Sequence, residues 1–166
     1  MTGDTDHSVF DQLAGLLDYP MFIVTTRVDD ELAGCLVGFA TQVSLSPLRF
    51  LAGLSKNNHT FRVGVRATHL AVHVLPHDQL DTARLFGSET GDRVDKFEQC
   101  RWQSGPSGLP IISNSAAWFA GRIVDRFDLG DHVGFLLDPV AGQVPEQLPD
   151  LVMFSDVREL DPGHEA

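Results

Sequence analysis

The sequence predicts a mainly β chain, folded as a closed or split barrel of about six strands with a few short helices. Three observations carry this. Short runs of alternating apolar residues recur along the chain, turn signals separate them, and helical spacing is confined to brief stretches. A doubly wound parallel sheet would need a helix between every pair of strands, and these are not written here.

In chain order, the first element reads as a helix over about 8–18. Ser8 can cap it, Asp11 stands three positions on, and Val9, Leu13, Leu16 and Leu17 recur at helical spacing until Tyr19-Pro20 ends the run. PMFIVTTRV (20–28) and GCLVGFATQVSL (34–45) are expected as a hairpin around the acidic turn Asp29-Asp30-Glu31. Along 34–45 one face carries Cys35, Val37, Phe39, Thr41 and Val43. The other carries Leu36, Gly38, Ala40, Gln42 and Ser44, and a glycine inside a strand marks a bulge, a bend or the close approach of a ligand or backbone. Ser46-Pro47 signals a turn before a third strand, RFLAGLS (49–55). SKNNHTFRVGVR reads as a loop entering a short helix, and HLAVHVLP (69–76) as a fourth strand stopped by Pro76.

Asp78 is expected to cap a helix containing Leu80, Leu85 and Phe86, closed by Gly87. TGDRVDKFEQC suggests another short helical segment with Val94 and Phe97 inward, and residues 104–115 a loop. AAWFAGRIVDRFDLGDHVGFLLDP supplies the last two strands, joined by a tight hairpin at Leu129-Gly130-Asp131. In the tail, the apolar patch LVMF (151–154) is expected to add an edge strand or to pack on a partner. A single domain over 1–166 follows, with its core at about 20–142 and a tail over 143–166.

The 166 residues suffice for one well-buried core, and an apolar fraction of 43% with 21% charged residues is that of a soluble globular chain. The N-terminal stretch is acidic and polar where a secretory signal would be basic and then apolar, and no apolar run approaches the roughly 20 residues of a membrane span. A cytoplasmic location and no membrane partner are expected. Cys35 and Cys100 have neither zinc-ribbon nor redox-pair spacing, so two reduced thiols are expected.

A net charge of −11 argues against a nucleic-acid partner. The charge is segregated, however. Between Leu32 and His77 there is no acid, while Arg49, Lys56, Arg62 and Arg66 fall there. Such a basic island can hold a small anion.

Neither a GxGxxG fingerprint nor a P-loop is present. His69, His73 and His77 recur every four residues, but four strand residues span about 13 Å, so one metal ion cannot reach both neighbours. They are expected as partly exposed polar residues near a strand edge, with no metal site. Lys56, Asn57, Asn58, His59 and Thr60 form a compact donor set at a strand end, suited to a phosphate. In GDHVG (130–134), His132 and Gly134 share a strand face, leaving room for a flat group beside the imidazole.

Together these pieces resemble the flavin reductase-like family, the FMN-binding split barrels. The carriers are TQVSLSP (41–47), SKNNHT (55–60), HLAVHVL before the helix ending LFG (85–87), DKF (95–97) and GDH (130–132), and the resemblance runs from about Pro20 to Gly142. It implies a six-stranded antiparallel Greek-key split barrel, a homodimer with flavin sites near the subunit interface, and reduction of flavin by NADH or NADPH. By position, Gly38, Phe39, Ala40, Thr41 and Gln42 would lie along the isoalloxazine. Ser55, Lys56, Asn57, Asn58 and Thr60 would meet the ribityl chain and phosphate, and His132 would stand as the catalytic residue near the nicotinamide. Leu36 and Gly38 replace hydrogen-bonding residues common in the family strand, which leaves the exact flavin open; the resemblance implies FMN as the first choice, with FAD or a deazaflavin as alternatives. A partner monooxygenase fits the same resemblance. Two other functions stay open: an oxidoreductase that reduces another acceptor, and a non-enzymatic flavin-binding electron-transfer module.

Overall fold

Alternation along β1 (Phe22–Val28) points Ile23 to one face and Val24 to the other, and both are fully buried, so this strand carries core on both sides. The computed structural model describes residues 6–88 and 94–160. The further elements are α1 (Ser8–Leu16), β2 (Glu31–Val37), β3 (Ala40–Leu45), β4 (Leu48–Ser55), α2 (His59–Gly64), β5 (His69–Val74), α3 (Leu80–Ser88), β6 (Trp102–Ser104), β7 (Pro110–Ile112), β8 (Ala117–Asp128), β9 (His132–Gln143) and α4 (Phe154–Val157). Short 3-10 turns occupy His77–Gln79, Lys96–Glu98 and Pro106–Gly108.

The main sheet is antiparallel with the order β2-β1-β5-β8-β9-β4-β3. It has seven strands where six were expected, because the run 34–45 is two strands broken at Gly38 and Phe39. The break comes from packing at Gly38: a Cβ there would sit 2.9 Å from Tyr19 Cε2 and 3.3 Å from Met21 Sδ. The close approach that the glycine signals is therefore made by the chain's own side chains. The sheet is not closed, since β2 and β3 are its two edges, but it curls enough for β2 to touch β4. Val24, Cys35 and Val37 from one end thereby share an apolar core with Ala52, Leu54, Phe135 and Leu137 from the other.

A second core lies outside the curl, where Ile23 and Leu75 meet Phe86, Phe97, Ile112, Val152 and Val157. The LVMF stretch belongs to it. Isolated bridges tie Met153 to Pro20 and Leu151 to Pro76, and Val152 is fully buried, so this stretch packs on its own chain without forming an edge strand. Tyr19 stacks on Phe154 at 4.9 Å, and Asp18 accepts from both the N–H and the hydroxyl of Ser155.

Other expectations need correction. α1 starts after His7, without a side-chain cap from Ser8, and buries none of its residues. Gly87 lies inside α3; it is small because a Cβ would meet Leu36 Cδ2 at 2.8 Å. The stretch expected as a loop at 104–115 contains β7 and the last residue of β6, its ribbon partner, and covers Ala71 and Ala120 with Leu109 and Ile111. Residues 90–93 of TGDRVDKFEQC lie outside the described residues; Phe97 is buried and Val94 half-buried.

His73 is the largest departure among the histidines. It is fully buried, because β5 lies inside the sheet between β1 and β8. Its Nδ1–H donates to the Ile23 carbonyl at 2.8 Å, and Nε2 accepts the Ile112 N–H at 3.2 Å. One ring thus joins β5, β1 and β7. Among the described residues, no helix is long and apolar enough to cross a membrane.

Candidate functional site

The break after β2 swings Phe39 out to solvent, where it is 63% exposed, and turns the chain into β3. Gly53 of β4 holds the break in place. Its N–H donates to the Phe39 carbonyl at 2.7 Å, and a Cβ there would sit 3.2 Å from that oxygen. β4 also pairs with β9, setting Ser55 opposite His132. This register brings the start of β9 beside the strand break.

The result is an open pocket of about 430 Å3 lined by Phe39, Ala40, Thr41, Leu51, Gly53, Leu129, Asp131 and His132. Its size falls within the roughly 300–1,000 Å3 usual for small-molecule sites. Leu51 and Leu129 make an apolar wall, while Thr41, Asp131 and His132 supply polar groups at the rim. The imidazole of His132 lies 5.0 Å from the Phe39 ring, centroid to centroid. Its Nδ1 is 2.8 Å from Asp131 Oδ1. An ionised carboxylate only accepts, so Nδ1 carries the proton and Nε2 is the nitrogen left for a ligand. The hydrogen bond from His132, and then its charge, hold the Asp131 carboxyl below the usual carboxylate range.

The structure sorts the sequence-derived residues into three groups. Phe39, Ala40, Thr41 and His132 come together in the pocket. Ser55, Lys56, Asn57 and Asn58 form the adjoining loop, joined to the pocket rim by the Lys56 N–H, which donates to the Asp131 carbonyl at 2.9 Å. Gly38, Gln42 and Thr60 lie elsewhere. Gly38 packs on Tyr19; Gln42 borders a separate depression with residues 43–46; Thr60 is buried beside the Cys35 thiol. The room expected at Gly134 is taken by Leu51 and Leu129, whose Cδ1 atoms would lie 3.0 and 3.1 Å from a Cβ there.

Within the loop, Ser55 Oγ accepts the Asn57 N–H at 3.3 Å, and Asn58 Oδ1 accepts the Thr60 N–H at 2.9 Å, capping α2. The basic island is acid-free in sequence only. Arg49 pairs with Asp138, Lys56 with Asp128 and Arg66 with Glu31, all at 2.8–3.2 Å. Leu51, Gly53, Leu129 and Asp131 escaped sequence reasoning. Asp131 adjoins His132 in the GDH stretch, Leu129 comes immediately before that stretch, and Leu51 and Gly53 share one face of RFLAGLS, so adjacency and alternation were the available signals.

The family model described as a flavin reductase like domain matches residues 14–160. The chain belongs to that family. Among curated relatives of this flavin reductase-like chain, the reductase subunit of stachydrine N-demethylase from Rhizobium meliloti is 33% identical over 114 residues, covering 66% of this chain and 48% of the relative. The 4-hydroxyphenylacetate 3-monooxygenase reductase component of Escherichia coli is 29% identical over 117 residues, covering 70% and 69%. The chain spans only 36% and 48% of the length of two Rhizobium meliloti relatives. Among solved structures, an NADH:FAD oxidoreductase of Streptomyces globisporus C-1027 superposes with a TM-score of 0.80 at 25% identity, covering 92% of this chain and 93% of that one.

Proposed function

We propose that this chain is an NAD(P)H:flavin oxidoreductase that takes FMN in the Phe39–His132 pocket, with FAD or a deazaflavin as alternatives and NADH or NADPH as hydride donor. One observation carries the reading: an open pocket with an apolar wall and a histidine at its rim adjoins the loop that carries Lys56. A flavin asks for a flat apolar slot, polar partners for one ring edge and donors for a phosphate. Ala40, Leu51, Gly53 and Leu129 suit the first, Thr41 the second, and the Lys56 ammonium the third, with His132 at the rim left to meet the nicotinamide.

Bound there, the flavin supplies a ring that accepts hydride, the two electrons and proton of a reduced nicotinamide. The chain's own task is positioning. Asp131 fixes the His132 ring through Nδ1, so that Nε2 meets the ligand in one orientation. The Phe39 ring lies against the imidazole at 5.0 Å, centroid to centroid. Holding two rings at reacting distance removes much of the entropic part of the barrier, with no nucleophile or metal required.

The same reading extends to assembly and setting. We take the curled sheet as the six-stranded Greek-key split barrel of the family with one strand divided. A homodimer is supported by Val43 and Leu45, exposed on the open edge strand β3, and by Leu48, exposed at the start of β4. A partner monooxygenase is supported by relatives that are themselves reductase components. The cytoplasm, which supplies NADH and NADPH, is the expected compartment.

Steady-state oxidation of NADH and NADPH, with and without added FMN, tests the function. Stimulation by free FMN supports the reductase. Turnover that needs a different acceptor replaces it with another oxidoreductase, and no turnover with either nucleotide replaces it with a flavin-binding electron-transfer module.

A further inference from the structure

Lys56 Nζ lies 3.0 Å from Asp128 Oδ1, and the same carboxylate oxygen accepts the Gly130 N–H at 3.1 Å. Two donors, an ammonium and a backbone amide, thus converge on one anionic oxygen. The turn between β8 and β9 is held against the loop after β4 by the bond from the Lys56 N–H to the Asp131 carbonyl. Lys56 is the only lysine of the donor loop, and Asp128 arrives from 72 positions away. A phosphate oxygen would seek the same two donors.

Both side chains are accessible, Lys56 at 40% and Asp128 at 74% exposure, so the pair can open and exchange its anion with solvent. The hydrogen bond from Lys56, followed by that from Gly130, also keeps the Asp128 carboxyl below the usual range, so the stand-in is anionic near neutral pH.

We propose that Asp128 is an internal competitor for the flavin phosphate: its carboxylate occupies Lys56 and the Gly130 N–H in the ligand-free chain and must leave when a phosphate-bearing flavin binds. This rests on the flavin reading of the pocket. Asp128 is then a specificity residue. It lowers the advantage of FMN over riboflavin, which has the same ring and no phosphate, and it loosens the grip on a flavin that has to depart after reduction.

The test is a set of fluorescence titrations with FMN and with riboflavin on the wild-type chain, Asp128→Asn, Asp128→Ser and Lys56→Ala. Both Asp128 variants are expected to tighten FMN by about two- to fivefold, the range of an exposed ion pair, and to leave riboflavin unchanged. Lys56→Ala is expected to bring the two affinities together. If the Asp128 variants leave FMN unchanged, or tighten both flavins equally, while Lys56→Ala weakens FMN alone, the competitor role is overturned and the phosphate assignment stands. An unchanged FMN-to-riboflavin ratio in Lys56→Ala overturns the phosphate assignment and the competitor role together.

Discussion

The Phe39 ring and the His132 imidazole lie 5.0 Å apart, centroid to centroid, tilted at 58° to one another. They come from a strand break and from the start of a strand 93 positions later, and only the pairing of β4 with both β3 and β9 brings them together. Removing His132 takes away a positioning group and leaves the apolar wall intact. His132→Ala is expected to lower kcat about tenfold while the flavin Kd stays near its wild-type value. Wild-type kcat in that variant would remove His132 from the site.

Acid sensitivity should follow from His73. Burial pushes its pKa down to about 4 from the ordinary 6.5, so the folded chain keeps the ring neutral while the unfolded chain protonates it. The unfolded state then holds more protons between these values, and stability falls as pH drops through that window, by about 3 kcal/mol in total. The contribution is fully present above pH 6.5. Urea midpoints measured from pH 7 to pH 4 should fall, and His73→Gln, with a lower midpoint at pH 7, should flatten the slope. Equal slopes in the two chains would contradict this.

Two glycines should behave differently. A Cβ at Gly34 would lie 2.7 Å from Phe86 Cε1 in the outer core, so Gly34→Ala should lower stability by about 1–3 kcal/mol and leave flavin affinity unchanged. At Gly53 the neighbour is the Phe39 backbone oxygen, which cannot rotate away. Gly53→Ala should therefore move the strand break and weaken flavin binding as well. Paired melting curves and flavin titrations separate the two.

Lys96 is buried, its Nζ donating at 3.0 Å to the carbonyls of Gly34 and Phe86 and lying 5.5 Å from the Phe86 ring centroid. It joins the end region of α3 to β2. Lys96→Met keeps the volume but strips two buried carbonyls of a donor, and should cost about 2–3 kcal/mol by urea denaturation. Flavin titration of the same variant should be unaltered, since Lys96 packs on Gly34 and Phe86 and is not among the residues that line the pocket.

Local patterns were legible in the sequence. HLAVHVLP alternates and forms β5, and the GDH stretch forms the tight turn between β8 and β9. The break at Gly38 was not, because alternation runs on through it and the cause is Tyr19, whose packing no local pattern encodes. The burial of His73 depends on strand order, and strand order depends on pairings between residues up to 53 positions apart. The Lys56–Asp128 pair was hidden for the same reason: charge segregation along a chain says nothing about which strand ends meet. Half of the pocket wall was therefore named from the sequence, while Leu51, Gly53, Leu129 and Asp131, adjacent to or alternating within quoted stretches, are joined in one wall by the meeting of β4 with the start of β9.

The most direct measurement is a crystal structure of the chain with FMN. The isoalloxazine is expected between Ala40 and His132, with Phe39 beside it and the phosphate reaching Lys56. A ring bound outside the pocket, or a phosphate directed away from the loop at 55–60, would contradict the account.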